Sequence, residues 1–121
     1  MKVLIADDDR LVRTMVRDLL TELGHAVVEA SNGLEAVEKY KELKPDIVTM
    51  DLVMPVMGGL EALRKIRELD PQAQVVVVTA LDQKQALMDS IRDGAMDFIV
   101  KPFERSRVLN LLIKLGSAPR G

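Results

Sequence analysis

Strand-type and helix-type hydrophobic patterns alternate five times along this 121-residue chain, and that alternation limits the folds open to it. Val3-Leu4-Ile5-Ala6 is a continuous apolar run, as expected of a strand covered on both faces. Leu11, Val12, Met15, Val16, Leu19, Leu20 and Leu23 then recur at helical spacing, and Gly24 is a stop signal. Ala26 to Ala30 reads as a second strand. Ser31-Asn32-Gly33 is a turn and helix start, with an apolar face through Leu34, Ala36, Val37, Tyr40 and Leu43. Ile47 to Met50 is the third strand, ending at Asp51, and a helix through Leu60, Leu63, Ile66 and Leu69 follows the loop VMPVMGG. Val75 to Val78 ends at Thr79, a helix runs through Ala86, Leu87 and Ile91 to Gly94, and Phe98-Ile99-Val100 ends at Lys101-Pro102. The last helix is expected from Ser106. Short strand–helix units of this kind predict an α/β fold, a parallel sheet with helices on both faces.

The length fits one domain, read as residues 1–115, with 116–121 as a flexible tail. A formal net charge of −2, with acids and bases mixed, leaves no electrostatic footprint for nucleic acid. Cysteine is absent, which excludes disulfides and thiolate chemistry and suits a cytoplasmic location. No apolar run approaches the roughly 18 residues of a membrane helix, and the first residues do not read as a signal peptide.

In open parallel sheets the ligand site lies at the carboxyl ends of the strands. That rule gathers Asp7 and Asp8, Asp51, Thr79 and Lys101 at one edge. Like charges brought together repel unless a cation sits among them, and oxygen donors without nearby His or Cys select Mg²⁺ or a similar ion. A carboxylate can also accept a phosphoryl group, a transfer that needs positioning and charge neutralisation by a metal, a lysine and a hydroxyl. Asp7 and Asp8 are thus read as cation ligands, whereas Asp9 starts the following helix. A helix cap alone would explain one of these acids, not three.

The acid pair Asp7-Asp8, Asp51 followed by Leu-Val-Met-Pro, Thr79-Ala80 and Lys101-Pro102-Phe103 together resemble the receiver domain of two-component response regulators, most of all the single-domain chemotaxis type. The resemblance covers nearly the whole chain and implies a flavodoxin-like, doubly wound (βα)5 fold with strand order 2-1-3-4-5. It implies that Asp51 accepts a phosphoryl group from the phosphohistidine of a sensor histidine kinase or phosphotransfer protein. It further implies Mg²⁺, with Mn²⁺ able to substitute, on Asp7, Asp8, Asp51 and the Val53 carbonyl, Asp7 acting partly through a metal-bound water. Lys101 is expected on a phosphoryl oxygen, and on an acidic side chain beforehand. Thr79, the Ala80 N–H and Val53 are expected to line the phosphoryl group, and Lys101–Pro102 to be cis.

By the same resemblance Thr79 and Phe98 are the switch pair, and the fourth helix, fifth strand and fifth helix form the surface read by a downstream protein. Phe98 lacks the hydroxyl of the tyrosine found in many chemotaxis members, so coupling here rests on packing. Val108, Leu109, Leu111, Leu112, Ile113 and Leu115 cover roughly 200° of the helical wheel. So wide a band suits either an interaction surface, a phosphorylation-dependent dimer among them, or a monomer whose last helix is buried on most sides. Val53 and Leu81, apolar at positions flanking the path of the hydrolytic water, predict slow self-dephosphorylation. His25 and the run Glu38 to Glu42 are read as surface.

Such a chain is a signalling switch rather than an enzyme. A receiver cut from a DNA-binding regulator is an alternative. A haloacid-dehalogenase-type phosphatase would want a D-x-D motif after the first strand, and a flavin-binding domain a phosphate-cradling loop where the three acids stand.

Overall fold

The computed structural model describes residues 1–80 and 82–116, the side chains of residues 115 and 116 excepted. Its elements run β1 (Lys2–Ala6), α1 (Arg10–Glu22), β2 (Ala26–Ala30), α2 (Gly33–Leu43), β3 (Ile47–Asp51), α3 (Gly59–Leu69), β4 (Val75–Ala80), α4 (Lys84–Arg92), β5 (Asp97–Lys101) and α5 (Arg105–Gly116). All strand pairings are parallel, and the sheet order is β2-β1-β3-β4-β5, the expected order.

Successive strand residues face opposite sides, so a strand with helices on both faces must be apolar throughout. Leu4, Val48, Met50, Val75 and Val77 pack with Ala36, Val37, Leu63 and Ile66 of α2 and α3. Their strand neighbours Val3, Ile5, Ile47, Val76 and Val78 pack with Val16, Leu19 and Leu20 of α1 and Val108, Leu111 and Leu112 of α5. Each large side chain buried in these two layers stabilises the fold by about 2 kcal/mol.

Helix ends follow local chemistry. The Asp9 carboxylate accepts from the Leu11 N–H at 2.9 Å and caps α1, and Asn32 accepts from the Glu35 N–H at 2.8 Å and caps α2. Gly24 and Gly94 follow α1 and α4 with φ of 85° and 105°, a region that favours glycine. Gly59 opens α3 against the end of β3, where its N–H donates to the Leu52 carbonyl at 3.1 Å. A side chain at Gly59 would collide with the Asp51 carbonyl, so the close seat of α3 on Asp51 requires glycine.

Helices α4, α5 and α2 each depart from the sequence reading at particular residues. In α4, Ser90 is buried and Ile91 is 49% exposed. The Ser90 hydroxyl donates to the Leu87 carbonyl at 2.7 Å, which satisfies it in the interior. In α5, which begins at Arg105, Ile113 is 70% exposed, whereas Val108, Leu111 and Leu112 are buried. Within the run Glu38 to Glu42, Tyr40 is buried with its hydroxyl donating to Asp70 Oδ2 at 2.8 Å. The i,i+4 ion pair on that helix joins Lys39 to Glu35. His25 takes a hydrogen bond from the Met1 amino group at 2.9 Å.

Candidate functional site

The sheet delivers the polar residues to one edge. Asp7 follows β1 and Asp51 closes β3, both buried, and the neighbouring Asp8 is exposed. Carboxylate oxygens of Asp7, Asp8 and Asp51 lie within 4.8 Å of one another. Lys101, at the end of β5, spans the edge and donates from Nζ to Asp7 Oδ2 at 2.8 Å and to Asp51 Oδ2 at 2.9 Å. Each buried acid uses its other oxygen locally: Asp7 Oδ1 takes the Asp9 N–H at 2.8 Å and Asp51 Oδ1 takes the Val53 N–H at 3.1 Å.

These contacts do not fully offset the surroundings of Asp51. Burial, and then the charge of Asp7, raise its carboxyl above the ordinary range against the opposing hydrogen bonds from Lys101 and Val53. Burial also works against the Lys101 ammonium, but the two carboxylates outweigh it, and Lys101 holds its proton more tightly than a free lysine. An ion pair buried this far needs every partner it has.

Thr79 is 2% exposed and donates from Oγ1 to the Ala80 carbonyl at 3.2 Å. Phe98 is half-buried against the core layer of α2 and α3, and its carbonyl accepts from Arg107 Nη2 at 2.7 Å. The Lys101–Pro102 peptide is cis. Val53 is 59% exposed beside Asp51. Leu81, its counterpart in the sequence reading, lies outside the described residues, as does the tail beyond residue 116.

The site also uses residues that the sequence reading passed over. Arg13 Nη1 donates to the Asp7 carbonyl at 2.6 Å and Nε pairs with Glu29, fixing the β1 end to α1 and β2. Arg13 sits on the polar side of an amphipathic helix, where nothing in the spacing sets it apart from Arg10 or Arg17. Val56, in the loop after Asp51, has φ of 67° and is 78% exposed.

The donor set suits a hard divalent cation. It offers carboxylate oxygens from three residues without nitrogen or sulfur, two held from below and one open to solvent. An acidic group at such an edge, beside a lysine and a buried hydroxyl on a five-stranded parallel sheet, places a cation-binding set and a hydrogen-bond donor at the carboxyl ends of the strands.

The chain belongs to the response regulator receiver domain family, whose model matches residues 3–113. It is 51% identical over 115 residues to the chemotaxis protein CheY of Thermotoga maritima, covering 94% of this chain and 96% of that protein. It is 48% identical over 114 residues to CheY of Bacillus subtilis, with 93% and 95% covered. Among solved structures it is similar to a chain of the CheX–CheY–BeF3–Mg²⁺ complex from Borrelia burgdorferi. There the TM-score is 0.90 at 36% identity, covering 98% of this chain and 90% of that one. Among the described residues no helix is long and apolar enough to cross a membrane.

Proposed function

We propose that this chain is a chemotaxis-type phosphoryl switch in which Asp51 is the acceptor. The observation that carries the reading is the Lys101 ammonium shared between Asp7 and Asp51, with Asp8 completing the acidic group. An Asp51 carboxylate oxygen attacks the phosphorus of a phosphohistidine on a kinase or phosphotransfer protein. The P–N bond breaks, its electron pair stays on the imidazole, which takes a proton, and an acyl phosphate forms on Asp51.

The chain's own groups then reorganise. Lys101 gives up Asp51 and donates to a phosphoryl oxygen, keeping Asp7 as its second partner. Thr79 turns its hydroxyl from the Ala80 carbonyl to another phosphoryl oxygen, beside the Ala80 N–H. Phe98 repacks behind it, which alters the surface of α4, β5 and α5 presented to a downstream protein. Asp7, Asp8, Asp51 and the Val53 carbonyl would hold Mg²⁺ or Mn²⁺, and the ion supplies neutralisation of phosphoryl charge. The BeF3 and Mg²⁺ in the structural neighbour from Borrelia support both the acceptor and the metal reading. Val53, apolar and exposed, gives a hydrolytic water no polar partner, so slow loss of the phosphoryl group is expected.

Intact mass after incubation with Mg²⁺ and a small phosphodonor tests the acceptor. A single phosphoryl adduct is expected, absent in Asp51→Asn and suppressed by EDTA. An adduct that survives Asp51→Asn would overturn the assignment.

A further inference from the structure

We propose that the groove between α2 and α3 is a docking site for an acidic peptide segment of a partner protein, engaged whether or not Asp51 is phosphorylated. Two adjoining depressions of about 470 Å³ and 220 Å³ share Lys41 and Leu69. Leu69 is 49% exposed, and with Val37 and the Tyr40 ring it makes an apolar floor. Lys41, Lys44 and Lys65 stand around that floor, and none forms an ion pair among the described residues.

Helix capping does not account for these lysines. At the end of α2 the Lys2 ammonium donates to the Leu43 carbonyl at 3.4 Å, and the Lys44 backbone N–H, not its side chain, bonds the Tyr40 carbonyl. The acids nearby do not neutralise them either. Two acids share the lining, Glu68 and Asp70, the latter held by the Tyr40 hydroxyl at 2.8 Å and the Gln72 N–H at 3.0 Å, so the three ammonium groups still leave the lining with a net positive charge. Three exposed ammonium groups around an apolar floor, in a chain of net charge −2, match a segment with acids on either side of one apolar side chain.

The position in the fold decides the relation to phosphorylation. In a parallel sheet the helices run back against the strands, so the last turns of α2 and α3 lie at the edge opposite Asp51. The groove also stands apart from α4, β5 and α5. An occupant there tethers the domain without reading its state.

The test is an NMR titration of the ¹⁵N-labelled full chain with a terminally blocked Asp-Glu-Leu-Glu-Asp peptide at low salt, beside a Lys-Lys-Leu-Lys-Lys control. Saturable shifts are expected at the amides of Val37, Lys41, Lys44, Lys65 and Leu69, equal with and without the phosphodonor. They should weaken about fivefold in the variant Lys41→Gln with Lys65→Gln, whose unchanged phosphorylation by a small donor reports an intact fold. No saturable shift, an equal response to the lysine peptide, equal affinity in the double variant, or loss of binding on phosphorylation would each overturn the proposal.

Discussion

At the scale of single residues, the polar side chains of the strands gather where Lys101 joins Asp7 and Asp51 at one edge of the sheet. Hydrophobic period sets the strand ends, and a parallel sheet then brings Asp7, Asp51, Thr79 and Lys101 to one side. What that reading missed depends on backbone geometry that no spacing encodes. The seat of Gly59 on the Asp51 carbonyl and the reach of Arg13 to Asp7 arise from chain segments meeting in space, and the left-handed Val56 from the path of its loop. Val56 is the clearest case, since a β-branched residue at φ 67° is strained and at 78% exposure has little packing to offset it. Val56→Asn or Val56→Gly is therefore expected to raise stability by about 1 kcal/mol, read as a higher urea midpoint with an unchanged slope.

Among elements, legibility tracked burial. β1, β3 and β4 are apolar because both faces are covered, and their limits agree with the sequence to within a residue or two. The peripheral helices α4 and α5 were harder, because a run of apolar residues does not say which of them meets the sheet. In α5 the packing selects Val108, Leu111 and Leu112 and leaves Ile113 outside. Leu111→Ala is expected to cost about 3 kcal/mol, whereas Ile113→Ser should stay within about 0.5 kcal/mol of the parent. Equal losses in paired urea unfolding curves would contradict this division of the helix. Ile113 on α5 and Ile91 on α4 then remain open to solvent.

For the molecule as a whole, the acidic edge carries a cost in stability. The raised native value of Asp51 means that the folded state keeps this proton to higher pH than the unfolded chain, whose ordinary value is 3.8. The stability lent by that proton is full below the unfolded value and is lost as pH rises through the native one. Without metal, the ionised Asp51 is thus a penalty at pH 7 that Asp51→Asn lacks. The variant should be more stable by about 1 kcal/mol in EDTA at pH 7, and the gap should close toward pH 3.5. Urea curves at both pH values check this, and a gap that widens in acid would reverse the sign. The Lys101 bridge has one more consequence, for the order of events during synthesis. Its ammonium comes from the last strand, on the outer edge of the sheet, and reaches acids 94 and 50 residues earlier in the chain. A nascent polypeptide displays its aspartates long before it owns their counter-charge. The acids are therefore left without this cation until the final strand has been made.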